Sequence, residues 1–154
     1  MNVRQTVSRQ YARIVDEAME RAGGLSKPPE GWLATVRKAL GMSARQVGER
    51  AGVTKAAVYQ AERKELAGGV TLRQLEKLAA ALDARLVYAL VPAEGSVGAQ
   101  LERRAREKAE RVIRRASSHM ALERQGLPEK RVGEQVKDLA LEFAREAKPE
   151  LWDD

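Results

Sequence analysis

The sequence predicts a mainly α fold: a helix-turn-helix domain with an extra N-terminal helix, one short strand and a C-terminal helical hairpin. Three observations predict it. Apolar residues recur at three- and four-residue steps in successive stretches, which places them on one face of a helix. Ser43, Thr54 and Thr71 stand where such stretches begin and glycines where they end, so start and stop signals agree with the periodicity. Only Arg85–Pro92 is rich in β-branched and aromatic residues and closed by proline, as a strand would be. The expected organisation is an N-terminal helix and linker over 1–30, the helix-turn-helix domain with its terminal strand over 31–92, and the hairpin and tail over 93–154.

Taken in order, Val3, Val7, Tyr11, Ile14, Ala18 and Ala22 form the stripe of an amphipathic helix over 2–22. Gly23 and Gly24 stop it, Ser26–Pro29 is a stiff connector, and Pro29 and Glu30 open the next helix. Trp32, Val36 and Leu40 line one face of that short helix, which Gly41 ends. Ser43 caps a second helix, and Gln46 three residues on completes a capping box. This helix buries Val47 and Ala51 and ends at Gly52, which suits a tight left-handed turn. Thr54 caps a third helix running to Lys64, with Val58 and Ala61 inward. Thr71 and Gln74 form another capping box before a fourth helix, 72–82, which buries Leu72, Leu75, Leu78 and Leu82.

In the strand, Leu86, Tyr88 and Leu90 fall on one face and Val87, Ala89 and Val91 on the other. A lone strand leaves its backbone donors and acceptors unpaired. Leu86–Val91 are therefore expected to pair with the same segment of a second copy, giving a two-fold homodimer. A buried extended segment, or an extension of the preceding helix, is the alternative. After a linker at Glu94–Gly98, Val97, Leu101, Ala105, Ala109, Val112, Ala116 and Met120 keep helical spacing to Arg124, and Gly126 ends the helix. Pro128 opens the last helix, lined by Val132, Val136, Leu139, Phe143 and Ala147. These two helices form a hairpin that packs within the chain or across the dimer.

Six residues are aromatic, so the core must be built mostly from Ala, Leu and Val. With no cysteine, neither a disulfide framework nor a thiolate zinc site can form. His119 is the lone histidine, and there is no phosphate-binding glycine loop, so no catalytic residue, metal ligand or cofactor is expected. No apolar run reaches the roughly 18 residues needed to span a membrane, and the start lacks a signal-peptide stretch; the expectation is a cytoplasmic protein. The net charge of +6 is localised: 31–92 hold ten basic and five acidic residues, whereas 93–154 hold thirteen of each. A cationic middle third is the electrostatic footprint of a nucleic-acid surface.

The pair of capped helices across a glycine turn, Ser43 to Glu65, is a helix-turn-helix pattern, whose second helix can enter the DNA major groove. Lys55, Ala56, Tyr59, Gln60 and Arg63 face outward on that helix. Lys55 can donate to guanine, Gln60 can bond adenine, Ala56 can meet a thymine methyl, and Tyr59 can reach a phosphate or base edge. Ser43, Gln46 and Thr54 sit at helix N-termini that suit phosphates, and Arg63, Lys64 and Arg73 flank the DNA backbone.

The stretch LGMSARQVGERAGVTKAAVYQAERK resembles the Xre/Cro-type, phage-repressor-like helix-turn-helix family over about residues 32–90. The resemblance implies a five-helix-type domain that binds a palindromic operator as a dimer. It also implies an ion pair between Arg37 and Glu62 that locks the recognition helix. One position departs from the family: Ala44 stands where many members carry a phosphate-binding glutamine, so Arg45 or Gln46 would have to substitute. Beyond that, PPEGWLATVRKALGMSARQVGERAG, RLVYALVP, HMALERQ and LWDD are similar to the mobile mystery protein A family. That likeness implies a regulator of an operon shared with a Fic-domain protein, or an antitoxin-like protein acting on such a partner. Ser26–Gly31 matches a Fic-inhibitory pattern in letters only, because Pro28 and Pro29 forbid a continuous helix through it. A nonspecific architectural or RNA-binding protein is the third class, distinguished by indifference to operator sequence.

Overall fold

The computed structural model describes residues 2–122 and 128–154, and it divides into two compact units, Leu25–Ala89 and Met1–Gly24 with Leu90–Asp154. Seven α-helices lie within the described residues. The first unit holds α2 (Trp32–Ala39), α3 (Ala44–Ala51), α4 (Lys55–Ala67) and α5 (Leu72–Ala81). The second holds α1 (Val3–Ala22), α6 (Val97–Leu122), α7 (Glu129–Glu146) and a 3-10 turn, Pro149–Trp152.

In the Leu25–Ala89 unit the caps act as their residue types dictate. Ser43 Oγ accepts from Gln46 N and Thr71 Oγ1 from Gln74 N, with both reciprocal glutamine bonds formed. Thr54 Oγ1 accepts from Ala57 N at 3.0 Å. Leu33, Ala44, Val47, Val58, Ala61, Leu78, Ala81 and Leu82 make the core. Arg50 ties α3 to the end of α5, donating from Nε to Ala81 O at 2.7 Å and pairing with Asp83 at 2.8 Å.

Several expectations are corrected here. No strand occurs among the described residues: Arg85–Val91 is irregular, and Val87, Tyr88 and Leu90 are 71%, 68% and 89% exposed. A strand is defined by its ladder, and one chain supplies this segment with no second strand to pair with. The five-helix expectation also fails, because four helices precede that extended segment within the unit. The inward face of α2 is Leu33, Ala34 and Arg37, while Trp32 and Leu40 are exposed. An arginine on the inner face broke the apolar pattern and shifted the expected stripe. Pro29 and Glu30 form a turn closed by Gly31 N to Pro28 O (2.9 Å), so α2 opens only at Trp32. Leu72 is exposed in the first turn of α5, and α4 runs one turn past Lys64.

The second unit is held differently. Its fully buried residues include Ala105 and Ala109, small enough to let α6 lie close against its neighbours. Arg104 Nε donates to Leu151 O (3.0 Å) and Lys108 Nζ donates to Glu150 O, which sets the tail beside the first half of α6. Glu110, Ile113 and Ser117 share a cavity with Glu129, Val132 and Val136, so α7 returns antiparallel to α6. Past Ala109 the stripe of α6 continues through Ile113 and Ser117 in four-residue steps, and the expected Val112 and Ala116 are exposed. The expected helix end at Arg124 and Gly126 lies outside the described residues.

Helix α1 departs from expectation over its first half, while Ala18 and Ala22 are half-buried at its end. Val3, Tyr11 and Ile14 are 80%, 65% and 63% exposed. Its anchors are polar instead: Gln5 Nε2 donates to Arg145 O at 3.2 Å, and Asp16 Oδ1 accepts from Val97 N at 2.9 Å, capping α6. These bonds, with the half-buried Ala12, Val15 and Met19, leave the first half of the expected stripe, Val3 to Ile14, outward.

Candidate nucleic-acid interface

Helices α3 and α4 are joined by a turn in which Gly52 is left-handed (φ 71°) and Val53 N donates to Gly48 O at 2.9 Å. Val47 and Val58 are buried where the two helices meet, so each presents its polar side outward. Lys55, Ala56, Tyr59, Gln60, Arg63 and Lys64 are all exposed on α4, and Arg73 is exposed at the start of α5. No ion pair engages Lys55, Arg63, Lys64 or Arg73 among the described residues, which leaves four cations uncompensated on this side.

Behind them, Arg37 fixes α4 to α2. Its Nε and Nη2 reach the Glu62 carboxylate at 2.6 and 3.2 Å, a bidentate pair, and Nη1 donates to Met42 O at 3.2 Å. Both side chains are about nine-tenths buried. The hydrogen bond to Glu62, more than any other cause, holds the Arg37 guanidinium above its ordinary pKa. Tyr59 lies under the same guanidinium (5.7 Å to the ring centroid), and Lys55 Nζ lies over that ring at 5.9 Å. Tyr59, which the sequence places on the outward side of α4, therefore stacks against the group that locks its helix.

The remaining expected residues are placed as follows. Ser43 and Gln46 are exposed and bonded to each other, Gln46 Oε1 accepting from Ser43 N at 2.8 Å; this leaves the Gln46 NH₂ group outward. Arg45 pairs with Glu49 at 2.5 Å one turn on, an exposed contact of little energetic consequence. Ala44 is buried in the core, so a phosphate ligand at this position is excluded by packing as well as by residue type.

Sequence reasoning missed Glu65. It is buried, and its two carboxylate oxygens accept from Trp32 N (2.6 Å) and Leu33 N (2.9 Å), capping α2 from the far end of α4. Gly31, at φ 85°, brings the chain so close that a Cβ would stand 2.2 Å from Glu65 Oε2. The signal was present: α2 opens at a glycine with no capping side chain of its own, so its orphan N–H groups had to find a distant acceptor.

Residues 33–88 match the family described as HTH_3: Helix-turn-helix. No curated protein and no solved structure matches the chain. Among the described residues, no helix is long and apolar enough to cross a membrane, and no group of His, Cys, Asp and Glu is arranged to hold a metal ion.

Proposed function

We propose that this chain, with its helix-turn-helix domain at residues 33–88, is a sequence-specific double-stranded DNA-binding regulator, a repressor without enzymatic activity that works as a homodimer on a palindromic operator. The observation that carries this is the outward side of α4. It offers Lys55, Ala56, Gln60, Arg63 and Lys64, with no carboxylate ion-paired to them among the described residues, on a helix whose rotation Arg37 and Glu62 fix from behind. Rigid presentation matters because base-edge hydrogen bonds tolerate little misplacement. Two half-sites about 10 base pairs apart, centre to centre, fit a dimer of such units. On the likeness to mobile mystery protein A, the operon controlled is its own, shared with a Fic-domain protein.

The test is recovery of bound genomic DNA, then titration of the best site with wild type and Lys55→Ala/Gln60→Ala. Wild type should prefer its site, with affinity falling steeply as salt rises. The double variant should lose about 10- to 100-fold on that site and little on random duplex. Equal binding of wild type to any sequence would leave a nonspecific protein instead. A Val87→Pro variant measured by light scattering locates the dimer contact: monomers place it at Leu86–Val91, and an unchanged dimer places it on the C-terminal helices.

A second reading, an antitoxin-like protein that acts by holding a partner, is favoured by one observation. The unit outside the helix-turn-helix exposes an apolar stripe at Val3, Val7, Tyr11 and Ile14. Val7→Asp/Ile14→Asp separates the two: it would abolish neutralisation of a Fic-domain partner while leaving operator binding intact.

A further inference from the structure

The Leu25–Ala89 unit contains an apolar cavity of about 440 Å³ that DNA contact does not use. Its walls are Leu33 and Val36 of α2, Leu75 and Leu82 of α5, and Leu86 and Val87 of the extended segment. The wall opposite α2 and α5 is irregular chain, Arg85 to Val87. A volume of this size, apolar with a few polar groups at its edge, suits a small ligand.

The polar groups at that edge define the ligand. Lys27 and Arg85 line the cavity and are exposed, and neither is ion-paired among the described residues. Lys27 Nζ is held at the rim by donating to Glu65 O at 3.4 Å. Glu65 is the one carboxylate in the lining, and both its oxygens are already occupied by the Trp32 and Leu33 N–H groups. The rim therefore offers two uncompensated positive charges above an apolar floor. From this geometry we propose that the cavity binds a small amphipathic organic anion, a carboxylate on an apolar chain, for which decanoate is the probe. Ion pairing to Lys27 and Arg85 orients the head, and the chain lies along α2 and α5. Because α2 and Glu65 form part of the wall, the ligand touches the two helices that Arg37 and Glu62 join.

The chain has two tryptophans, and Trp32 lines the cavity. Full-length protein carrying Trp152→Phe reports from Trp32 alone, titrated with decanoate below its micelle concentration. The expected result is a saturable blue shift of Trp32 emission. Octanoate should bind at least about tenfold more weakly, since each buried methylene contributes about fourfold. Decanol and decyltrimethylammonium should each bind about tenfold more weakly than decanoate, as should decanoate to Lys27→Gln/Arg85→Gln. Ala84→Leu, an exposed rim position, should narrow the cavity and reduce binding without disturbing the core. The proposal is overturned if no saturable shift occurs or if the three head groups bind alike. It is also overturned if Trp32 emission changes on protein dilution alone, which would assign the cavity to a second copy.

Discussion

In the Leu25–Ala89 unit, three of four helices start at a hydroxyl side chain adjacent in sequence, and the core is a cluster of Leu, Val and Ala. The other unit has local caps too, Asn2 with Gln5 on α1 and Ser96 Oγ accepting from Ala99 N on α6, but it adds anchors from far along the chain: Asp16 accepts from Val97 N, 81 residues away, and Gln5 donates to a carbonyl near the end of α7. Charge divides the same way. The first unit carries eleven basic and six acidic residues, the second seventeen and sixteen. A unit that must present cations to a polyanion has a locally specified scaffold and a charge surplus. Its companion, nearly neutral, joins α6 and α7 by close packing at Ala105 and Ala109 and adds polar anchors between residues far apart in sequence. Local caps set where α3, α4 and α5 begin, and the Arg37–Glu62 pair then fixes the rotation of α4 within its own unit.

The sharpest way to break that contrast is to remove the ion pair between Arg37 and Glu62, a contact of the first unit that is not local in sequence. Arg37→Ala strands Glu62 in a site about nine-tenths buried, and an unpaired carboxylate there should cost about 3 kcal/mol. Hydrogen exchange read separately over the two units should show the loss in α2–α5 and none in α6–α7. Arg37→Met/Glu62→Leu, which removes both charges, should recover most of the stability. Equal loss in both units would show that the two plans are not independent.

Gly31→Ala probes the second non-local element of the same unit, the Glu65 cap on α2. Alanine at φ 85° is strained, and its Cβ would displace the Glu65 carboxylate from the Trp32 and Leu33 N–H groups. About 2 kcal/mol of destabilisation is expected from chemical denaturation, by strain and cap loss together. A loss under about 0.5 kcal/mol would mean that the cap contributes nothing net.

How legible each part was follows from the same difference. The capping boxes at Ser43–Gln46 and Thr71–Gln74, the turn at Gly52 and the inward Val58 and Ala61 are local signals that sequence spacing carries completely. Arg37–Glu62 came from resemblance to a family, since nothing in periodicity marks a buried arginine. The first half of the α1 stripe, Val3 to Ile14, is exposed although the spacing puts it on one face with the half-buried Ala18 and Ala22, because spacing does not say how much of a helix has a neighbour to pack on. Arg85–Val91 had the composition of a strand, but strand formation belongs to a pair of segments, and composition describes one. Val112 and Ala116 lost their place on α6 because the inward line steps by four residues after Ala109.

Asp16→Ala sharpens the comparison from the other side and has the smallest expected effect. It removes the acceptor of Val97 N, leaving the first turn of α6 with one fewer satisfied donor, at a cost of about 1 kcal/mol. The loss should be confined to amides in the first turn of α6 and to α1, and operator affinity should not change. Asp16→Asn, which keeps an acceptor oxygen, should recover most of it, because asparagine caps about as well as aspartate. If both variants behaved alike, the carboxylate would be acting on α6 through its charge at the helix N-terminus, and the salt dependence of the loss would then identify the helix dipole as its target.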